Sequence, residues 1–265
     1  MFDEPSHVQT LTVDDRAVTV RRLEAALPAA APVLPVVLLH GLGCSSDAWR
    51  PMLEVLAARR VPFPVYVPDM PGFGCSPGPK KALNIVELAD WLDRLLETLA
   101  IPQAHFAGNS LGGQVLLALA RRHPARIGRL VLVGSTVGGD YISLGRYAAG
   151  LVLDGLQEPP LYTAVLTRMY AQMGLRRYLA TTRAMLADEP LRHAEEIQTP
   201  CLVLRGTRDG IIPDPVARRL AASLPNGQFR RLAGTAHAMQ FTRPREFTEV
   251  ALSFWAGHTE EGGGD

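Results

Sequence analysis

Cysteine is scarce in this chain. Its 265 residues include Cys44, Cys75 and Cys201 and no further cysteine, with no C-x-x-C pair and no histidine cluster beside them. A disulfide framework and a structural zinc site are thereby excluded as organising features, and a reducing compartment fits. Charge of one sign is also missing: 27 Lys and Arg stand against 26 Asp and Glu, for a net +1, with no long basic run. Nucleic acid therefore finds no electrostatic footprint. Unbroken apolar runs long enough to cross a bilayer are absent as well, since the most hydrophobic stretch, 25–39, is interrupted by Pro28, Pro32 and Pro35. Asp3 and Glu4 stand where a signal peptide would place basic residues. What is present, 47% hydrophobic and 20% charged residues, describes an ordinary globular chain able to bury one large core. The expectation is a cytoplasmic protein whose partner is a small-molecule substrate, with neither nucleic acid nor membrane involved. The oligomeric state leaves no mark in the sequence.

The chain is organised around Phe106-Ala-Gly-Asn-Ser-Leu-Gly-Gly113. The residues leading to Ala107 predict a strand, Gly108-Asn109-Ser110-Leu111-Gly112 fits G-x-S-x-G, and 114–122 predicts a helix. Strand, Gly-Ser-Gly turn, then helix is the context of a nucleophile elbow. A serine on so sharp a turn takes a strained backbone, and glycines two residues either side let strand and helix pass without Cβ clashes. The helix N-terminus offers unpaired N–H groups to a developing negative charge.

Around this stretch, residues 7–13 and 16–23 flank Asp14-Asp15 and predict a hairpin. Val36-Val-Leu-Leu39, Leu130-Val-Leu-Val133 and Cys201-Leu-Val-Leu204 predict buried strands, Pro64-Val-Tyr-Val67 a further strand and 228–232 a last one. Helices are expected over 49–59, over 85–99 with Asn84 and Glu87 as its start signal, over 214–223 and over 241–255. That alternation predicts an α/β fold with a mostly parallel sheet of about eight strands and helices on both faces. Residues 137–197 interrupt it. They hold no buried strand, but Tyr162, Val165, Leu166, Met169, Tyr170 and Met173, then Leu175, Tyr178, Leu179, Thr182 and Leu186, recur at helical spacing. A connection of that length is too long for a loop, so 137–197 is expected to be a helical insertion between core segments 1–136 and 198–257. The polar, glycine-rich 258–265 reads as a disordered tail.

With these elements in register, the chain resembles the α/β-hydrolase superfamily over nearly its whole length. His40-Gly-Leu-Gly43 resembles the oxyanion loop, Asp69-Met-Pro-Gly-Phe-Gly-Cys-Ser76 the D-x-x-G-x-G-x-S loop, Gly206-Thr-Arg-Asp209 the acid loop and Gly234-Thr-Ala-His237 the histidine loop. The insertion sits where family members carry a cap. The order Ser110, Asp209, His237 is the order expected of this fold. The resemblance implies Ser110 as nucleophile, His237 as its base and Asp209 as the group that orients the imidazole. It also implies an oxyanion hole made by the backbone N–H groups of Leu42 and Leu111. No cofactor and no metal are implied. Asp214 and Asp140 remain rivals for the acid. His40 and Asp69 are expected to be structural, and Cys44 to be packing.

A substrate pocket is expected to draw on Trp49, Asn109, Tyr141, Tyr170 and Met239. Five of the six tyrosines (141, 147, 162, 170, 178) and three of the seven methionines (169, 173, 185) fall in the insertion, which has no Phe or Trp. Core packing accounts for most of them; the rest would form an apolar wall with a few hydroxyls, suited to a medium-sized apolar or aromatic substrate. The expectation is a serine hydrolase cleaving an ester, thioester or lactone through an acyl-enzyme. Serine at position 110 excludes the dehalogenase and epoxide hydrolase branches, which would require a carboxylate there. Three alternatives stay open. One is a carbon–carbon bond hydrolase of ring-cleavage diketones, whose elbow is similar but whose H-G-x-G-P-G loop differs at Cys44 and Ser45. The others are a lyase or cyclase, and a ligand-binding receptor on the same scaffold.

Overall fold

The computed structural model describes residues 5–26, 33–139 and 143–258. The chain opens with the hairpin β1 (His7–Val13) and β2 (Arg16–Leu23), paired from His7 with Arg22 to Val13 with Arg16. Its two turn residues, Asp14 and Asp15, sit at φ 51° and 58°, a left-handed conformation that aspartate tolerates and that matches the strand twist. β2 runs antiparallel to β4 (Val65–Pro68). From there β3 (Val36–Leu39), β5 (Ala104–Asn109), β6 (Ile127–Val133), β7 (Cys201–Gly206) and β8 (Gly227–Leu232) continue in parallel. The eight-stranded order is β1-β2-β4-β3-β5-β6-β7-β8.

The central strands are apolar at successive positions because each face feeds a separate core. Val37 and Leu39, Leu130 and Leu132, and Cys201 and Val203 join one core. Val36 and Leu38, Val131 and Val133, and Leu202 and Leu204 join the other. The first core is covered by α2 (Ile85–Thr98), α3 (Leu111–Arg122) and, beyond the inserted helices, Ala217, Leu220 and Ala221 of a later helix. The second is covered by α1 (Arg50–Ala58) and the C-terminal helix. α2 starts at a full capping box: Asn84 Oδ1 accepts from Glu87 N at 2.9 Å, and Glu87 Oε2 accepts from Asn84 N at 2.7 Å.

The connection from β6 to β7 carries α4 (Leu144–Gly155), α5 (Pro160–Met173), α6 (Leu175–Ala187) and a 3₁₀ segment, Pro190–Glu196. The α5 and α6 spans coincide with the two apolar stripes of the sequence. After β7 come α7 (Asp214–Ser223) and β8, then α8 (Met239–Thr242) and α9 (Pro244–Trp255). The single closing helix expected over 241–255 is thus two. Pro244 cannot continue a helix through its missing N–H, and Arg243 before it is forced to φ −134°, ψ 54°. Among the described residues no helix is long and apolar enough to cross a membrane. Residues 259–265 of the expected tail lie outside the described residues.

Candidate active site

Ser110 is the single residue between β5 and α3. Its φ of 54° and ψ of −116° put it at positive φ far from the left-handed helical well, a costly position for a residue with a Cβ. The surroundings hold it there. Ser110 N–H donates to Val133 O at 2.8 Å, and Ser110 O accepts from Gly113 N at 3.0 Å. The glycines fulfil the steric role the motif assigns them. A Cβ on Gly108 would lie 2.6 Å from Gly112 C, and one on Gly112 would lie 2.7 Å from His40 O and closer still to Leu39 O. A Cβ on Gly41 would meet Ser110 Cβ at 3.3 Å, so the loop after β3 runs directly past the serine.

His237 follows β8 and Asp209 follows β7. The two are buried together, with His237 Nδ1–H donating to Asp209 Oδ2 at 2.9 Å. The other carboxylate oxygen, Asp209 Oδ1, accepts from Ile211 N at 2.8 Å and Ile212 N at 2.9 Å. Arg205 braces the same loop, donating to Ile212 O, Gly206 O and Asp209 O at 2.7, 2.7 and 2.9 Å. Burial works against the charge on Asp209, but the imidazolium and the hydrogen bonds from His237, Ile212 and Ile211 outweigh it and hold its carboxyl below the usual range. Burial likewise opposes a proton on His237. The Asp209 carboxylate, with Asp154 and Glu158 behind it, overcomes that and raises the imidazole to about 9. Asp214 is engaged elsewhere: it lies in the first turn of α7, where Arg231 and Arg218 bind it, chiefly Arg231, and lower it to about 2. Asp140 lies outside the described residues.

The loop after β3 is built on His40. Its Nε2 accepts from Met70 N at 3.0 Å, which leaves Nδ1–H to donate to Gly41 O at 3.0 Å. Burial, stronger here than the pull of Asp69, lowers its pKa and keeps the ring neutral. Asp69 fixes the neighbouring loops, accepting from Ser46 N at 2.6 Å and Cys75 N at 2.9 Å. Among the described residues neither Leu42 N–H nor Leu111 N–H donates to a backbone carbonyl, and Leu111 is the first residue of α3, where N–H groups point free.

Gly41, Leu42, Asn109, Ser110 and His237 line one cavity of about 100 Å³ at the carboxyl ends of the parallel strands, roofed by Tyr147, Leu151, Tyr162, Leu166 and Tyr170 of the inserted helices. Asn109 lines it beside the serine while its Nδ2 donates to Val133 O and His237 O, both at 3.3 Å. Tyr170 packs on Tyr178 with ring centroids 5.2 Å apart, and a Cβ on Gly43 would strike the Tyr170 ring. Two of the expected pocket residues are elsewhere. Trp49 is fully buried in the core on the α1 and α9 face, its ring 5.9 Å from that of Phe247, and Met239 is buried in the same core. Trp49 ends the 3₁₀ segment Ser46–Trp49 and Met239 begins α8, and both side chains are taken up by that core, so nearness in sequence to the cavity does not put them there. Tyr141 lies outside the described residues. Cys44 does border the cavity, but burial pushes its thiol up to about 12, so it packs rather than reacts.

Two cavity residues were missed from the sequence. Asp154 Oδ1 accepts from His237 N at 3.1 Å and Gly210 N at 3.2 Å, and Glu158 Oε1 accepts from Ala238 N at 3.1 Å. Both are buried, and burial raises both carboxyls, Glu158 to about 7. Their i, i+4 spacing across the apolar C-terminus of α4 is the signal that could have found them. Among the described residues no three His, Cys, Asp or Glu converge as metal ligands.

A family model described as the alpha/beta hydrolase fold matches residues 35–168. The chain is 30% identical over 251 residues to a 2-hydroxy-6-oxononadienedioate/2-hydroxy-6-oxononatrienedioate hydrolase of Paraburkholderia phymatum, covering 83% of this chain and 86% of that one. The enol-lactonase from Burkholderia xenovorans LB400 is similar in structure with a TM-score of 0.76 at 23% identity, over 94% of this chain and 100% of that one. A thermophilic esterase from Thermogutta terrifontis gives a TM-score of 0.78 at 20% identity, over 96% and 100%. These two likenesses speak to the fold.

Proposed function

Since the chain belongs to the α/β-hydrolase family and is a hydrolase of that fold, we propose that it is a serine hydrolase of a medium-sized apolar or aromatic ester, thioester or lactone. The observation that carries this reading is that His237, paired with the buried Asp209, lines one cavity with Ser110. In this reading Ser110 Oγ attacks the carbonyl carbon while His237 Nε2 takes its proton. Asp209 holds the imidazole and stabilises its charge. The tetrahedral oxyanion accepts from the N–H groups of Leu42 and Leu111, preorganised dipoles that need no rearrangement as charge develops. His237 then protonates the leaving group, and water releases the acyl group by the same steps in reverse order. The inserted helices act as a cap whose Leu151, Leu166 and tyrosine rings form the apolar wall. Three free cysteines, two of them buried, suit a cytoplasmic setting.

A second reading is carbon–carbon bond hydrolysis, favoured by the name of the 30%-identical relative. The deciding experiment is intact-protein mass after a fluorophosphonate, wild type against Ser110→Ala, beside turnover of p-nitrophenyl esters of increasing chain length. The expected result is one adduct on Ser110 and ester turnover that Ser110→Ala abolishes. Labelling without ester turnover favours the second reading, and wild-type rates in Ser110→Ala overturn the nucleophile assignment.

A further inference from the structure

The cavity is asymmetric in charge. Its acidic lining residues are Asp154 and Glu158, and no Lys or Arg is among the residues that line it. Both carboxylates come from α4 and its C-terminal extension, on the side of the cavity next to His237. One oxygen of each carboxylate, Asp154 Oδ1 and Glu158 Oε1, is spoken for by the backbone N–H groups of Gly210 and His237 and of Ala238 respectively. Among the described residues Glu158 Oε2 has no hydrogen-bond partner. The titratable groups facing Glu158 are Asp154, His237, Asp209 and the Tyr162 phenol. His237 alone carries positive charge there, and Asp209 already holds its Nδ1.

We propose that Glu158 sets the charge of the substrate: the site takes substrates that are neutral or cationic away from the scissile carbonyl, and rejects those carrying a carboxylate. This rests on reading the cavity as the substrate site. A carboxylate leaving water needs cationic or N–H partners; with the Leu42 and Leu111 N–H groups given to the oxyanion and His237 held by Asp209, this lining offers it hydroxyls and two like charges. An ammonium group finds the charge of Glu158, and an N–H donor finds its Oε2 as an acceptor. Burial raises the Glu158 carboxyl, so the discrimination strengthens as it ionises above about pH 7. Dioates are the class most strongly excluded.

The test uses three p-nitrophenyl esters matched in length: pentanoate, hemiglutarate and 5-(trimethylammonio)pentanoate, at pH 8. Wild type should give kcat/KM for the hemiglutarate at least tenfold below the pentanoate, with the ammonium ester at or above it. Glu158→Gln keeps an oxygen for the Ala238 N–H and should close most of that gap, chiefly through KM; its melting curve checks that it folds. Equal rates on the three esters in wild type, or an unchanged ratio in Glu158→Gln, overturn the proposal. If none of the esters is turned over, the ester reading falls by itself. Calorimetric binding of the same compounds to Ser110→Ala then decides the charge preference without turnover. The ammonium ester binding at least tenfold tighter than the hemiglutarate supports it, and equal binding or none overturns it.

Discussion

Replacing Asp209 by Asn tests the proposed triad at its least obvious point, the tautomer of His237. Asp209 Oδ1 accepts two backbone N–H groups, from Ile211 and Ile212. In Asp209→Asn the amide oxygen must stay on that side, because an NH₂ group there would face two donors across less than 3 Å. The NH₂ group is therefore turned toward His237 Nδ1. Two donors cannot share that contact, so Nδ1 becomes the acceptor and the ring proton moves to Nε2, the atom that must take the serine's proton. Loss of the base in this way costs about 10⁴-fold in kcat, or about 5.5 kcal/mol of barrier. The pH profile carries a second signature. His237 raised to about 9 must lose its proton before it can act. At pH 7.5 roughly one free site in thirty is then competent, so wild-type kcat/KM climbs with pH toward about 9. Without the Asp209 charge, burial prevails over the remaining pull of Asp154 and Glu158, and the limb moves to lower pH by more than one unit. Stopped-flow or steady-state ester hydrolysis from pH 5 to 10 measures both. Activity within tenfold of wild type with an unmoved limb would refute the reasoning and send the acid role to Asp140.

Three further outcomes follow from local geometry. Ser110→Gly releases the strain of φ 54°, ψ −116° and should raise stability by about 1 kcal/mol and Tm by about 2 °C in calorimetry, whereas Ser110→Ala should not. Gly112→Ala drives a Cβ into the Leu39 and His40 carbonyls at the end of β3. It should cost more than about 3 kcal/mol in urea unfolding and abolish turnover; a wild-type midpoint would contradict the close approach. Glu158, raised from 4.5 to about 7, binds its proton more tightly folded than unfolded, so stability falls as pH climbs through that window. Glu158→Gln removes that fall and should gain about 2 kcal/mol on wild type at pH 8 and nothing at pH 4.5. The separate loss as His237 deprotonates toward pH 9 should persist in both proteins, and equal differences at the two pH values would count against the assignment.

What could be read from the sequence divides along a physical line. Backbone geometry announces itself in residue type. Gly108 and Gly112 are required by carbonyls and helix atoms less than 3 Å from any Cβ they could carry, and Asp14-Asp15 by a turn at positive φ. Ser110, Asp209 and His237 could be proposed because each stands beside glycines in a loop that resembles the family's. Side-chain direction has no such signature. Met239 directly follows the cavity residue Ala238 and Trp49 ends the 3₁₀ turn Ser46–Trp49 a few residues after Cys44, and the direction of the chain there decides whether such a residue faces the cavity or the core on the α1 and α9 face. Apolar character favours the core in either case, so residue type could not separate the two. Asp154 and Glu158 are the converse. Their stretch, Leu151-Val-Leu-Asp-Gly-Leu-Gln-Glu158, reads as a helix running out into a proline turn, where carboxylates are ordinarily solvated. They are buried because the inserted helices come down on the histidine loop, and its N–H groups at 237 and 238, left without backbone partners by the turn into α8, need acceptors from outside. That need is tertiary. It places two acids beside the proposed base, and with them the charge that both lifts the imidazole and screens the substrate.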